Sequence, residues 1–222
     1  MLEEGAESDA RVRAHFGRAK LMRVRGDADG AEAGYKLGLE FVGGQEALRA
    51  VGLLGLARVA WHRGHHAEAK GHANDALAIA RAVSRPLLVA ESLWLLAEVA
   101  RSRGLHESAR DLFHQAMALY REHDDRLGIA KCHAMIAMSA RAASDLDATE
   151  DHYRQALAIY RNYGERKGVA HQLNGLGDVA RFRAEGPTLL TLDFSDASLD
   201  RATARMVLKL LEGCVSLETL NF

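Results

Sequence analysis

Proline and cysteine are both scarce: each occurs only twice among 222 residues. So little proline leaves few enforced helix breaks. Cys132 and Cys214 lie far apart among apolar neighbours, which reads as two buried free thiols rather than a disulfide framework and points to a reducing, cytoplasmic setting. Charge of one sign is also lacking. Twenty-nine basic residues face 30 acidic ones for a net charge of −1, so no long-range field draws the molecule to nucleic acid or to an anionic membrane. No apolar run approaches the roughly 20 residues of a membrane span. The opening MLEEGAESDARVR is acidic and has no signal-peptide core. Phosphate-binding glycine loops ending in Lys-Ser or Lys-Thr, nucleophile elbows and zinc-protease histidine spacings are all missing, so neither an enzyme nor a cofactor is expected. What the chain does have is 48% hydrophobic residues, enough to bury a substantial core.

Those apolar residues recur with a period of 40. Leu53-Leu54-Gly55-Leu56-Ala57-Arg58-Val59-Ala60 aligns with Leu93-Trp94-Leu95-Leu96-Ala97-Glu98-Val99-Ala100 and with Leu173-Asn174-Gly175-Leu176-Gly177-Asp178-Val179-Ala180. A weaker copy runs from His133 to Ala140. Each copy is followed by a second segment with small and aromatic residues at fixed places: Ala69, Ala73, Ala76, then Ala109, Phe113, Ala116, then Thr149, Tyr153, Ala156. An earlier pair fits at a spacing of 38, with Gly26, Ala31, Tyr35 and Gly38 matching Gly64, Ala69, Ala73 and Ala76. Paired antiparallel helices about 8–10 Å apart need small side chains where their axes cross. Ala57, Ala97, Ala137 and Gly177 are placed to supply them. A helix that is apolar on two sides must pack on both its own partner and the next pair, which predicts a stacked array with local contacts.

This pattern of Leu, Leu-Gly or Leu-Ala, Ala, an inter-helix Gly, then Ala-aromatic-Ala resembles the tetratricopeptide repeat over residues 11–184. The chain departs from that family in its 40-residue period, in having Arg81, Arg121 and Arg161 where proline is usual, and in placing Trp94 one position late. The resemblance implies an all-α fold: a right-handed superhelical solenoid of antiparallel helix pairs over 11–186, about four and a half pairs, preceded by a flexible N-terminus at 1–10. Beyond Glu185-Gly186-Pro187 the pattern changes. Leu189, Leu192 and Phe194 recur 28 residues later as Leu217, Leu220 and Phe222, with an amphipathic segment from Asp200 to Glu212 between them. This strand-helix-strand reading resembles a ribonuclease-inhibitor-type leucine-rich repeat over 187–222, acting as a cap or as the start of a second domain. Ala197 stands where that family carries asparagine.

In the tetratricopeptide family the first helix of each pair lines a concave groove. Carried over by position, that face presents Arg58, Trp61, Glu91, Trp94, Glu98, Arg101, Lys131, Met138, Arg141, His171, Asn174, Asp178 and Arg181. Arg101, Arg141 and Arg181 share one position in three successive repeats, and a column of guanidinium groups suits the carboxylates of an acidic peptide. Glu98 with Arg101 and Asp178 with Arg181 are equally i, i+3 helix pairs that would solvate the surface for about 0.2–0.5 kcal/mol each. Trp61 and Trp94 fit two roles, as anchors for a partner or as packing between neighbouring repeats.

His62, His65, His66 and His72 form a cluster in which His62 and His66 have a metal-like i, i+4 spacing. Gly64 interrupts the helix between them and no cysteine or carboxylate completes the set, so no metal is expected. Asp124, Asp125, Asp145 and Asp147 fall at helix starts and read as caps. The functional expectation is a protein- or peptide-binding scaffold that takes its partner in the groove. The alternative is a sensor segment of a larger signalling or transcription-regulating protein. An RNA-binding reading needs a basic groove, and Glu91, Glu98 and Asp178 oppose it.

Overall fold

The computed structural model describes residues 2–183, and these form nine α-helices with no strand among them. They are α1 (Leu2–Val24), α2 (Ala28–Glu40), α3 (Glu46–His62), α4 (His66–Ala82), α5 (Pro86–Ser102), α6 (His106–Glu122), α7 (Arg126–Ala142), α8 (Leu146–Asn162) and α9 (Arg166–Arg183). The leucine-rich-repeat-like element expected over 187–222 lies outside the described residues. The helix reaches back past position 11, where the sequence pattern places the start of the repeat. Ser8 in its early turns donates from Oγ to the carbonyl of Phe41 at 3.0 Å, tying that end of α1 to the end of α2.

The chain divides into two compact units, residues 1–123 and 124–222. In the first, α1 packs on α2, α3 on α4 and α5 on α6, with α2 against α3 and α4 against α5 linking successive pairs. In the second, α8 packs on both α7 and α9. The core of the first unit includes Val12, Phe16 and Ala19 of α1, Ala31 and Tyr35 of α2, and Leu56 and Val59 of α3. That of the second joins Ala130, Ala134 and Ala137 of α7 to Tyr153, Ala156 and Leu157 of α8 and to Leu173, Leu176 and Val179 of α9. Ala57, Ala97 and Ala137 are 0% exposed and Gly177 is buried, so the small residues predicted at the helix crossings all face the interior.

One kind of reversal is used repeatedly. After α3, Gly64 adopts φ +78°, its N–H donates to the carbonyl of Trp61 at 3.0 Å, and the N–H of His65 donates to that of Ala60 at 2.9 Å. These two bonds satisfy the carbonyls that a helix end leaves unpaired. The same pair of bonds forms at Gly26, Ser84, Gly104, Ser144 and Gly164, each with positive φ. Several helices then start under an aspartate. Asp27, Asp125 and Asp145 accept from the N–H of Gly30, Gly128 and Ala148 at 2.8, 2.8 and 3.0 Å. Asp124 does not cap, contrary to the sequence reading. It occupies the left-handed position of the preceding turn at φ +52°, and its carboxylate accepts instead from Arg126 at 2.7 Å.

Candidate protein-interaction faces

Four of the helices, α3 and α5 in the first unit and α7 and α9 in the second, carry the residues that sequence position assigns to the binding face. In the first unit Arg58 of α3 reaches across to α5, its Nη2 donating to Glu91 Oε2 at 3.4 Å. Both side chains stay accessible, at 32% and 43%. Trp94 is half-buried, with its ring edge-on to Phe113 of α6 at 6.2 Å between centroids. Trp61 packs against Ala60, Ala69 and Val99. Both indoles therefore pack within the helix array, and neither Nε1 has a hydrogen-bond acceptor among the described residues.

Glu98 is only 2% exposed. Arg101 covers it, donating from Nε and Nη2 to its two carboxylate oxygens at 3.0 and 3.2 Å. The i, i+3 pair forms as expected, yet it is a neutralised internal charge rather than a solvated one. A buried carboxylate is tolerated only with such a partner, so Arg101 is committed to Glu98.

The second unit is built differently. Arg141 of α7 donates from Nη1 to Asp178 Oδ2 at 2.8 Å, and Arg181 of α9 donates from Nη2 to Asp178 Oδ1 at 2.6 Å. Two guanidinium groups thus converge on one carboxylate. Arg141 and Arg181 keep 38% and 54% of their side-chain surface accessible. Lys131, His171 and Asn174 are exposed on the same two helices, while Met138 is half-buried against the core. Lys131, Arg141 and Arg181 outnumber Asp178, whereas Arg58 and Arg101 are matched by Glu91 and Glu98. The shared column position of Arg101, Arg141 and Arg181 therefore hides two different electrostatic settings.

The histidine cluster disperses over a turn. His62 ends α3, where its ring meets Trp61 edge-on at 4.8 Å, and its Nε2 lies 3.1 Å from Arg23 Nη1. A guanidinium only donates, so Nε2 is the acceptor and the ring is neutral with its proton on Nδ1. Burial first, then the charges of Arg23 and Arg58, hold the His62 pKa below its ordinary 6.5. His65 precedes α4, His66 lies 3.3 Å from Ser102 Oγ, and His72 sits 3.6 Å from Glu68. Among the described residues no three His, Cys, Asp or Glu side chains are grouped to hold a metal ion.

Two further clusters escaped the sequence reading. Arg63, just beyond α3, pairs with both Asp29 and Glu32 of α2. Glu32 also accepts from Lys36 at 2.5 Å, and the bonds from Lys36 and then Arg63 hold its carboxyl below the usual range. In α7 and α8, the Nδ1 atoms of His133 and His152 stand 2.9 Å apart. They occupy the positions that Leu93 and Leu112 hold one repeat earlier, so an imidazole pair replaces an aliphatic one.

With this geometry in place, the comparisons with known proteins show which fold it is. Residues 88–162 match the family model described as tetratricopeptide repeat. No curated protein matches the chain. A Rap protein solved in complex with competence and sporulation factor superposes with a TM-score of 0.73 at 16% identity over 91% of this chain. The match covers 54% of that protein, so this chain spans about half its length. BtubC from P. vanneervenii superposes at 0.66 with 17% identity, covering 99% of this chain and 95% of that one. A putative kinesin light chain from Podosopora anserina with nearly identical TPR-like repeats gives 0.57 at 17% identity, covering 91% and 94%. At these identities the likeness is one of fold: the described helices form a tetratricopeptide-like helical repeat.

Proposed function

We propose that this chain is a protein-interaction scaffold, and that the accessible face of α7 and α9 takes a segment of a partner bearing carboxylates. The tetratricopeptide-like fold is typical of such scaffolds. One observation carries the finer reading: Arg141 and Arg181 share the single carboxylate of Asp178 at 2.8 and 2.6 Å. A guanidinium has five N–H donors, so most of those on this pair remain available after Asp178 is served. Asp178 orients both groups, and a carboxylate approaching them meets donors already held in place, which lowers the ordering cost of binding. Lys131 adds a further positive charge on α7. The Rap protein that shares the fold holds a bound factor, which supports a binding role for helices arranged this way.

The test is capture of partner protein by the wild-type chain and by Arg141→Glu/Arg181→Glu, with helical circular dichroism matched. The double variant should lose the carboxylate-bearing partners that the wild type retains. An unchanged set of captured proteins would overturn the assignment. Arg101 is left intact in this experiment, because reversing it would leave Glu98 facing a second acid in the interior.

A further inference from the structure

A different surface points to a second partner. On α1 the residues Ala10, Ala14, Gly17, Leu21 and Val24 are all exposed, and they recur at alternating intervals of four and three. That spacing draws one continuous stripe along a helix. It lies opposite the buried stripe of Val12, Phe16 and Ala19. Leu21 and Val24 are 60% and 66% exposed, the most open large apolar side chains among the described residues of the first unit. Basic residues flank the stripe on both sides: Arg11, Arg18 and Arg25 along one edge, Arg13 and Lys20 along the other. Arg13 is engaged by Asp9 and Arg11 lies over the ring of Phe41. Arg18, Lys20 and Arg25 pair with no carboxylate among the described residues.

The protein itself shows what such a stripe receives. The turns after α1 and α3 carry Gly26 and Gly64 in the same left-handed conformation, φ +86° and +78°, which sets a spacing of 38 between the two helices. In that register Ala14, Gly17 and Leu21 of α1, with Arg25 just past its end, correspond to Gly52, Gly55 and Val59 of α3, with Arg63 just past its end. On α3 this face is covered by α2, with Phe16 of α1 also reaching Gly52. Leu39 sits over Gly52, Tyr35 over Gly55, and Asp29 with Glu32 pairs with Arg63. On α1 the equivalent Gly17 has open space where a Cβ would stand.

We propose that the exposed face of α1 docks an amphipathic helix of a partner protein that repeats the α2 pattern: an aromatic seated over Gly17, and acidic residues one and two turns earlier meeting Arg25, with Arg18 beside the aromatic adding positive charge. Other occupants fit less well. A second copy packed in parallel would bring Arg18, Lys20 and Arg25 against their own like charges, and an antiparallel copy is what the sedimentation measurement below detects. A lipid surface would gain little from Ala10, Ala14 and Gly17, and the stripe has no aromatic to seat at an interface. Small residues do suit a closely approaching helix backbone, as Gly52 and Gly55 show.

The probe is an alanine-based helical peptide carrying Asp, Glu, Tyr and Leu at the spacing of Asp29, Glu32, Tyr35 and Leu39. Its binding to the full chain is read by fluorescence anisotropy. The wild type should bind it, more weakly as salt rises, and should bind a version with lysine in place of both acids at least about tenfold less tightly. Gly17→Leu fills the notch at an open site and should lower affinity by about tenfold or more, with unchanged circular dichroism. Arg18→Glu/Arg25→Glu should reverse the preference between the two peptides. Equal binding of both peptides by the wild type, or undiminished binding by Gly17→Leu, would overturn the proposal. So would sedimentation showing a dimer that Leu21→Asp dissolves, or flotation with phosphatidylserine vesicles that Leu21→Asp abolishes.

Discussion

Tyr153 of α8 lies against the backbone of Gly175 in α9, so closely that a Cβ on that glycine would come within 2.6 Å of the tyrosine Cζ. Tyr35 and Gly55 repeat the relationship in the first unit. Where the second helix carries Ala73 instead, the corresponding first-helix residue is Leu95, and both are 0% exposed. In each of these three seams one large residue meets one small one, with the large one changing sides.

Gly175→Leu should therefore lower stability by about 1–3 kcal/mol through overpacking. Tyr153→Leu alone should also destabilise, by leaving a cavity. The two together should cost less than the sum of the singles, because each relieves the defect the other creates. Denaturant midpoints of the four chains measure this, and strict additivity would mean the ring and the glycine do not share one space.

Ser144→Gly should stabilise the protein. Ser144 sits at φ +61° in a turn whose counterparts are Gly26, Gly64 and Gly104. A residue with a Cβ costs about 1–2 kcal/mol in that conformation. The greater freedom of glycine in the unfolded chain returns about 0.4–1 kcal/mol of that. A higher urea midpoint with an unchanged slope is the expected result.

His62 gives the first unit a dependence on pH of defined sign. Its pKa in the folded protein is held below 6.5, chiefly by burial and then by Arg23 and Arg58, so the unfolded chain takes up the proton more readily. The contribution of the neutral ring is fully present above pH 6.5 and declines as pH falls from there toward the lowered folded value. The melting temperature of wild type relative to His62→Gln should accordingly shrink between pH 7.5 and 5. A difference that stays constant would show that the Arg23 contact does not depend on the neutral form.

Much of this was legible in the sequence, because helix crossings demand small residues at fixed intervals. Ala57, Ala97 and Ala137 declare the register, and their burial follows from it. The candidate face was legible in outline for the same reason: position along a helix determines direction. Burial at that face was not, since it depends on what neighbouring helices cover. Glu98 and Asp178 share a register position, yet one is sealed beneath Arg101 and the other is shared by two arginines. The exchange of Tyr35 with Gly55 was equally hidden, because it links residues in different repeat elements whose apposition appears only once the helices are stacked. Asp124 misled the reading of helix starts, since the same residue type serves a cap and a left-handed turn equally well.

Each reversal between the described helices is closed by bonds spanning no more than six consecutive residues. A helix leaving the ribosome can therefore fold back on its predecessor as soon as the next turn has been synthesised, without waiting for distant sequence. Assembly by accretion of this kind keeps the sequence separation of contacts low, which favours rapid folding and limits the time apolar faces stand open to other chains.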